Sequence, residues 1–142
     1  MIIPGSDIAG LIGQLRNKTN EFILARLASE GVTGLVPSHG AIFIVLYNEG
    51  PQPMLALSEK IRRDKSTVTV LVRKLETLGY VRREPDSGDK RVSIIHLTEK
   101  GFKFRMVFEQ ISNELIEKVW GDTPLKERRK LAEELRGMIE RL

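Results

Sequence analysis

The strongest constraint on this chain is a change of hydrophobic period between residues 55 and 97. Val68, Leu71, Val72, Leu75 and Leu78 recur at helical spacing over 66–78, and Gly79 ends the run. Upstream, Leu57 and Ile61 lie one turn apart in a shorter helical stretch over 55–62. Asp64-Lys65-Ser66 separates the two, with either Asp64 or Ser66 able to cap the second helix. Downstream the period falls to two. Segments 80–84 and 91–97 are rich in β-branched residues, and Pro85-Asp86-Ser87-Gly88-Asp89 joins them as a turn-rich tip. Two short helices across a tight turn, followed directly by a hairpin, read as a helix-turn-helix with a wing.

The flanks are helical. Ile8, Leu11, Ile12, Leu15, Phe22, Ile23 and Leu27 predict a long amphipathic helix over 8–29, with Asp7 as its N-cap. Ser38 precedes a second helix through Ala41–Tyr47, apolar nearly all round and therefore expected at the centre. Thr98 is placed to cap a long helix carrying Phe102, Val107, Phe108, Ile111, Leu115 and Val119 and ending near Trp120-Gly121. Thr123-Pro124 starts a last helix, with Pro in its first turn and Leu131, Leu135, Met138, Ile139 and Leu142 along it. The expected fold is mainly α (α+β): about six helices and one β-hairpin wing. Residues 1–142 read as one domain, with a winged core over about 35–97. The helices over about 7–30 and 98–142 carry more apolar surface than a small winged module covers. A second copy of the chain is their expected partner, and packing within one chain is the alternative.

Composition narrows the chemistry. The chain has 142 residues and no Cys, which removes disulfides, thiolate metal sites and a Cys nucleophile. Two His, with no phosphate-binding glycine loop and no nucleophile elbow, give no basis for an enzyme, a cofactor or a metal. No apolar run reaches the roughly 18 residues of a membrane span, and no basic segment precedes the apolar start. The expected location is cytoplasmic, away from membranes.

Charge is concentrated. Between Lys60 and Arg91 stand ten basic residues and five acidic ones, +5 in 32 residues, whereas the other 110 residues sum to −1. Such a patch suits phosphate, although charge alone equally describes a solvated face. With the apolar stripe of 66–78 turned inward, Ser66, Thr67, Thr69, Val70, Arg73 and Lys74 face outward behind Lys65. Small hydroxylated side chains let a helix sink into a major groove, and the cations one to two turns later suit phosphates or a guanine edge. An exposed Val70 fits a thymine methyl. At the hairpin tip, Lys90 and Arg91 project outward, Arg91 suits a narrow minor groove, and Asp89 is placed to orient its guanidinium.

Asp64-Lys65-Ser66-Thr67-Val68-Thr69, followed by Leu75-Glu76-Thr77-Leu78-Gly79-Tyr80-Val81, resembles the recognition-helix signature of the MarR family of winged-helix repressors. Asp89-Lys90-Arg91, five residues, then Leu97-Thr98-Glu99-Lys100-Gly101 resembles that family's wing signature, D-x-R-x5-L-T-x-x-G. The resemblance extends to helix order and length. It implies a homodimeric repressor on double-stranded DNA, with interlocked terminal helices, recognition helices in successive major grooves of a pseudo-palindromic operator, and Arg91 in the minor groove. Val70 and Arg73 depart from the pattern, since many members have a basic and an acidic residue there. The resemblance also implies a small aromatic or anionic effector in a crevice beside the dimer helices. Arg16, Phe22, His39, Phe43, Tyr47 and Phe108 are positioned to approach it, His39 foremost. The competing reading is a winged-helix module that binds protein rather than DNA.

Overall fold

In the computed structural model, residues 2–142 are described. Seven helices and three short strands follow in the order α1 (Ile8–Ser29), α2 (His39–Glu49), β1 (Gln52–Pro53), α3 (Met54–Ile61), α4 (Lys65–Thr77), β2 (Val81–Pro85), β3 (Ser93–Leu97), α5 (Glu99–Lys103), α6 (Arg105–Trp120) and α7 (Leu125–Arg141). α5 and α6 run on through Phe104, whose backbone stays right-handed helical (φ −66°, ψ −20°). Counted as one rod, they leave the six helices expected from the sequence. The sheet is antiparallel in the order β1-β3-β2.

Several boundaries differ from expectation for local reasons. α3 and α4 each begin one residue early. The α4 start is set by Asp64, whose carboxylate accepts from the Thr67 N–H, so Asp64 rather than Ser66 is the cap. Asp7 and Ser38 make no side-chain capping bond, and Pro124 sits at the N-cap of α7 rather than inside its first turn. The return strand starts at Ser93, which leaves Asp89, Lys90 and Arg91 in the tip loop. β1 was not expected: two residues carry no period, and Gln52 and Pro53 become a strand only by pairing with Ile95 and Ile94.

The core gathers around α2. Ile42, Phe43, Val45 and Leu46 are buried there, with Leu57 of α3 and Val68, Val72 and Leu75 of α4. Ile44 is half exposed, however, so α2 is not covered on every side. Phe43 stacks on Tyr47 (5.6 Å, 17°), meets Tyr80 edge-on (5.6 Å, 89°), and packs on Phe104 (5.0 Å) and Phe108 (5.8 Å). Aromatic pairs of this kind add roughly 0.5–1.5 kcal/mol each to simple burial. α1 packs on α6, where the Arg26 guanidinium donates to both carboxylate oxygens of Glu114 (2.5 and 3.2 Å). α7 has no buried residue, and Phe102 and Val119, expected on an apolar side, are exposed.

A second junction joins α4 to the rod. Gly79 ends α4 in the left-handed region (φ 86°). Its carbonyl accepts from the Thr98 hydroxyl (2.5 Å), the Leu78 carbonyl accepts from Lys100 Nζ (2.6 Å), and the Tyr80 carbonyl accepts from the Thr98 N–H (3.0 Å). Thr98 also caps α5 by accepting from the Gly101 N–H (3.2 Å). Gly101 lies so close to the Tyr80 backbone that any Cβ would overlap its carbonyl oxygen. Gly101→Ala is therefore expected to destabilise the fold by about 2 kcal/mol or more, the range of a severe overpacking. Urea unfolding checks this, and a midpoint within error of the parent would contradict the close approach.

Candidate nucleic-acid interface

α4 presents one exposed face. Val68, Val72 and Leu75 are fully buried, and the helical period turns Ser66, Val70, Arg73 and Thr77 to the opposite side. Val70 is 65% exposed, as expected for a residue with no partner inside the protein. Lys65 stands at the N-terminus of this face and Lys74 at its flank. Arg62 and Arg63 extend the cationic surface into the preceding turn, where Arg62 adopts a left-handed backbone (φ 54°).

The hydroxyls do not stand free. Ser66 donates to Asp64 Oδ2 (2.9 Å), and Thr69 donates to the Lys65 carbonyl (2.8 Å). The Asp64 carboxyl is held below its ordinary value by the Thr67 and Ser66 hydrogen bonds and remains ionised. A phosphate approaching this end would have to exchange the Ser66 and Thr69 bonds for its own. The cations are the groups ready for it.

The wing tip is folded by two aspartates. Asp86 Oδ2 accepts from the N–H groups of Gly88 and Asp89 (both 3.1 Å), and the Asp86 N–H closes the loop on the Val92 carbonyl (2.8 Å). Asp89 accepts from the Arg91 backbone N–H (3.0 Å) and holds the guanidinium through both oxygens, from Nε at 3.1 Å and Nη2 at 3.2 Å. The Arg91 side chain is nonetheless 91% exposed. Its direction is fixed while its outer edge stays open, and Lys90 is exposed beside it.

Between α4 and the wing lies a shallow cleft lined by Lys65, Thr69, Arg83, Arg91 and Ser93, among others. Arg83 donates to Glu76 of α4 (2.8 Å) and so ties strand β2 to the helix. Sequence reasoning missed it, because an Arg on an exposed strand looks like any solvated cation until the cleft is seen.

On the other side of α2 a crevice opens between α1, α2 and α6. His39, Phe43 and Phe108 line it; Phe22, Tyr47 and Arg16 do not. Tyr47 lies behind Phe43 with its hydroxyl donating to the Gly101 carbonyl (2.7 Å), and Arg16 is on the exposed N-terminal half of α1. The His39 ring is buried. Its Nδ1 accepts from the Val36 N–H (3.0 Å), so the neutral ring carries its proton on Nε2. Nε2 is enclosed without a hydrogen-bond partner, facing the Leu71 carbonyl of α4 without closing a well-formed bond. Among the described residues, no group of three or more His, Asp or Glu is arranged to hold a metal ion.

The model of the MarR family matches residues 37–93, from the start of α2 to the return strand. The HTH-type transcriptional regulator YkoM of Bacillus subtilis is 35% identical over 71 residues, 50% of this chain and 46% of that protein. The match thus spans about half the length of this curated relative. Among solved structures, a MarR transcriptional regulator from Methanosarcina mazei is 27% identical, covers 94% of both chains and superposes with a TM-score of 0.78. Reduced AbfR bound to DNA is 25% identical, covers 96% of this chain and 92% of that one, with a TM-score of 0.77. The winged module of this chain is thus similar to the MarR family over residues 37–93.

The MarR signatures now have physical content. In D-x-R the aspartate aims the arginine, and in L-T-x-x-G the threonine caps a helix while the glycine lets it touch Tyr80. Val70 and Arg73, which depart from the MarR pattern, both lie on the exposed face of α4.

Burial lowers the His39 pKa from its ordinary 6.5, and Lys74 pushes the same way. The unfolded chain then binds a proton that the folded chain refuses, so stability is full above about pH 6.5 and falls as pH drops toward the folded value. His39→Gln keeps a side-chain acceptor for Val36 and removes this titration. The expected result is a flatter decline of thermal midpoint between pH 7 and pH 5 than in the parent. An equal decline in both proteins would assign the loss to other groups.

Proposed function

We propose that the protein is a homodimeric, sequence-specific double-stranded DNA-binding transcriptional regulator, a repressor on a pseudo-palindromic operator. The observation that carries this reading is the wing tip, where a bidentate carboxylate holds Arg91 outward next to the exposed face of α4. A restrained but exposed guanidinium pays its ordering entropy before binding and fits a minor groove, while α4 fits the adjacent major groove. In this reading Lys65, Ser66, Thr67, Thr69, Lys74 and Lys90 serve backbone or edge contacts, and Arg73 and Val70 read bases. Relatives named as transcriptional regulators and a DNA-bound neighbour at 25% identity support it and argue against an enzyme. No helix of the described residues is long and apolar enough to cross a membrane. The cationic cleft that runs from α4 into the wing disfavours the protein-binding alternative, since interface cores are depleted of such charge.

Phosphate-driven binding releases counterions, so affinity for a selected operator should fall by about 10³–10⁵ between 50 and 200 mM salt for some 6–10 phosphate contacts. Arg91→Ala is expected to weaken operator binding by at least about tenfold, roughly 1.4 kcal/mol, with the thermal midpoint unchanged. Arg73→Ala should alter the preferred sequence, whereas Lys65→Ala should weaken all duplexes alike. A flat salt response, or an Arg91→Ala protein that binds like the parent, would favour the protein-binding module.

The chain is proposed to act as one unit, with the winged core over about 35–97 and assembly helices before and after it. Leu11 and Leu15 on α1, and Leu131 and Ile139 on α7, are exposed in the single chain. An amphipathic helix whose apolar stripe has no buried residue gains from a partner, and a two-fold copy supplies one. Sedimentation should give twice the 16.1 kDa of one chain. Leu135→Lys combined with Ile139→Lys should return it to one chain and reduce operator affinity. A parent that sediments as a single chain would remove the dimer from the proposal.

A further inference from the structure

The exposed face of α4 offers a partner few free groups. Along it stand Ser66, Val70, Arg73 and Thr77, and both hydroxyl protons are engaged: Ser66 donates to Asp64 Oδ2 (2.9 Å) and Thr77 to the Arg73 carbonyl (3.0 Å). Thr69, at the flank, donates to the Lys65 carbonyl (2.8 Å). One cation and one apolar group remain. Arg82, Arg83 and Arg91 each pair with a carboxylate, whereas the exposed Arg73 guanidinium has no such partner among the described residues. Beside Val70 the surface dips into a shallow, mostly apolar hollow lined by Ser66, Thr67, Val70 and Leu71.

These two groups match two features of a major-groove edge. An apolar hollow gains by covering the C5 methyl of a pyrimidine, and Val70 has no polar atom to distinguish the oxygen of thymine from the amine of cytosine at C4. A free guanidinium takes N7 and O6 of guanine through two parallel bonds. Residues three apart on a helix have Cβ atoms about 5–6 Å apart, and successive base pairs are about 3.4 Å apart. Val70 and Arg73 therefore reach neighbouring base pairs.

We propose that α4 reads the C5 methyl group itself through Val70, on thymine and 5-methylcytosine alike, with a guanine in the neighbouring base pair held by Arg73. The proposal rests on the DNA-binding reading and adds a chemical rule to it. Methylation of a cytosine at that position creates a contact that the unmethylated sequence lacks, and the methyl counts equally opposite adenine or guanine.

The full chain is titrated, by fluorescence anisotropy, with an operator selected from random duplexes and altered at each thymine in turn. Two matched comparisons are made there: thymine against uracil opposite adenine, and 5-methylcytosine against cytosine opposite guanine. At the position Val70 covers, removing the methyl should weaken binding about fourfold in both comparisons, the size expected for one buried methyl group. In Val70→Ala the ratio should fall to near one, which a methyl acting through duplex shape would not produce. 7-Deazaguanine at the neighbouring guanine, which lacks N7, should weaken the parent at least about fivefold and leave Arg73→Ala unaffected. The proposal is overturned, with the regulator reading left standing, by any of four results. These are an operator indifferent to every methyl, a methyl effect confined to thymine, one that persists in Val70→Ala, or indifference to 7-deazaguanine at every guanine. A chain that binds no duplex of any sequence would refute both readings.

Discussion

The contact between Gly101 and the Tyr80 backbone is the constraint on which the other placements depend. It lets the start of α5 lie against the strand that leaves α4, close enough for Thr98 and Lys100 to satisfy the carbonyls of Leu78, Gly79 and Tyr80. The last carbonyls of α4 are closed by its own C-terminal turn, those of Lys74, Leu75 and Glu76 accepting from the N–H groups of Leu78, Tyr80 and Gly79, and the first residues of the rod take up the three after Thr77. The same turn of backbone brings Phe104 and Phe108 onto Phe43. Three things are fixed together: where α4 ends, where the wing begins, and where the long rod departs. A side chain at 101 would separate all three, which is why a loss at one glycine is expected to cost as much as a core cavity.

The exposed surface follows a different rule. Within the body, polar groups are paired to each other, as Arg26 is to Glu114. On the face formed by α4 and the wing, the pairing is arranged so that one partner remains available. Asp89 takes the inner edge of the Arg91 guanidinium and leaves the outer edge in solvent. Exposed pairs of this kind contribute roughly 0–1 kcal/mol to stability, so the arrangement is poorly explained as a stabilising device and better explained as preorganisation for the contact proposed for it. The Ser66 and Thr69 hydroxyls, by contrast, serve the helix itself. In the proposed reading, that division assigns the sequence-independent work to cations and leaves Val70 and Arg73 as the side chains with room to discriminate.

Much of this was legible in the sequence because it is periodic or carried by turn chemistry. The stripe of Val68, Leu71, Val72, Leu75 and Leu78 placed α4 to within a residue, and Asp89 at two positions before Arg91 foretold their contact. What escaped was non-local. β1 exists only through its pairing with β3, and Gln52-Pro53 alone carries no strand signal. Arg83 gains meaning from a cleft whose other wall is α4. α2 looked central on every side because AIFIVL is apolar throughout, and the exposure of Ile44 depends on how far α1 and α6 reach over it. Tyr47 and Arg16 were assigned to the crevice by position in the chain, whereas Tyr47 points to Gly101 and Arg16 lies outside the lining.

The crevice and α4 have one wall in common, and that wall is His39. On one side its ring lines the apolar space; on the other its Nε2 faces the Leu71 carbonyl, one residue from Val70. A ligand would shift α4 only by making different contacts in two arrangements, and His39 is the residue through which packing in the crevice meets α4. By linkage any such coupling would be reciprocal: a partner that holds α4 in one position would change the affinity of the crevice by the same factor.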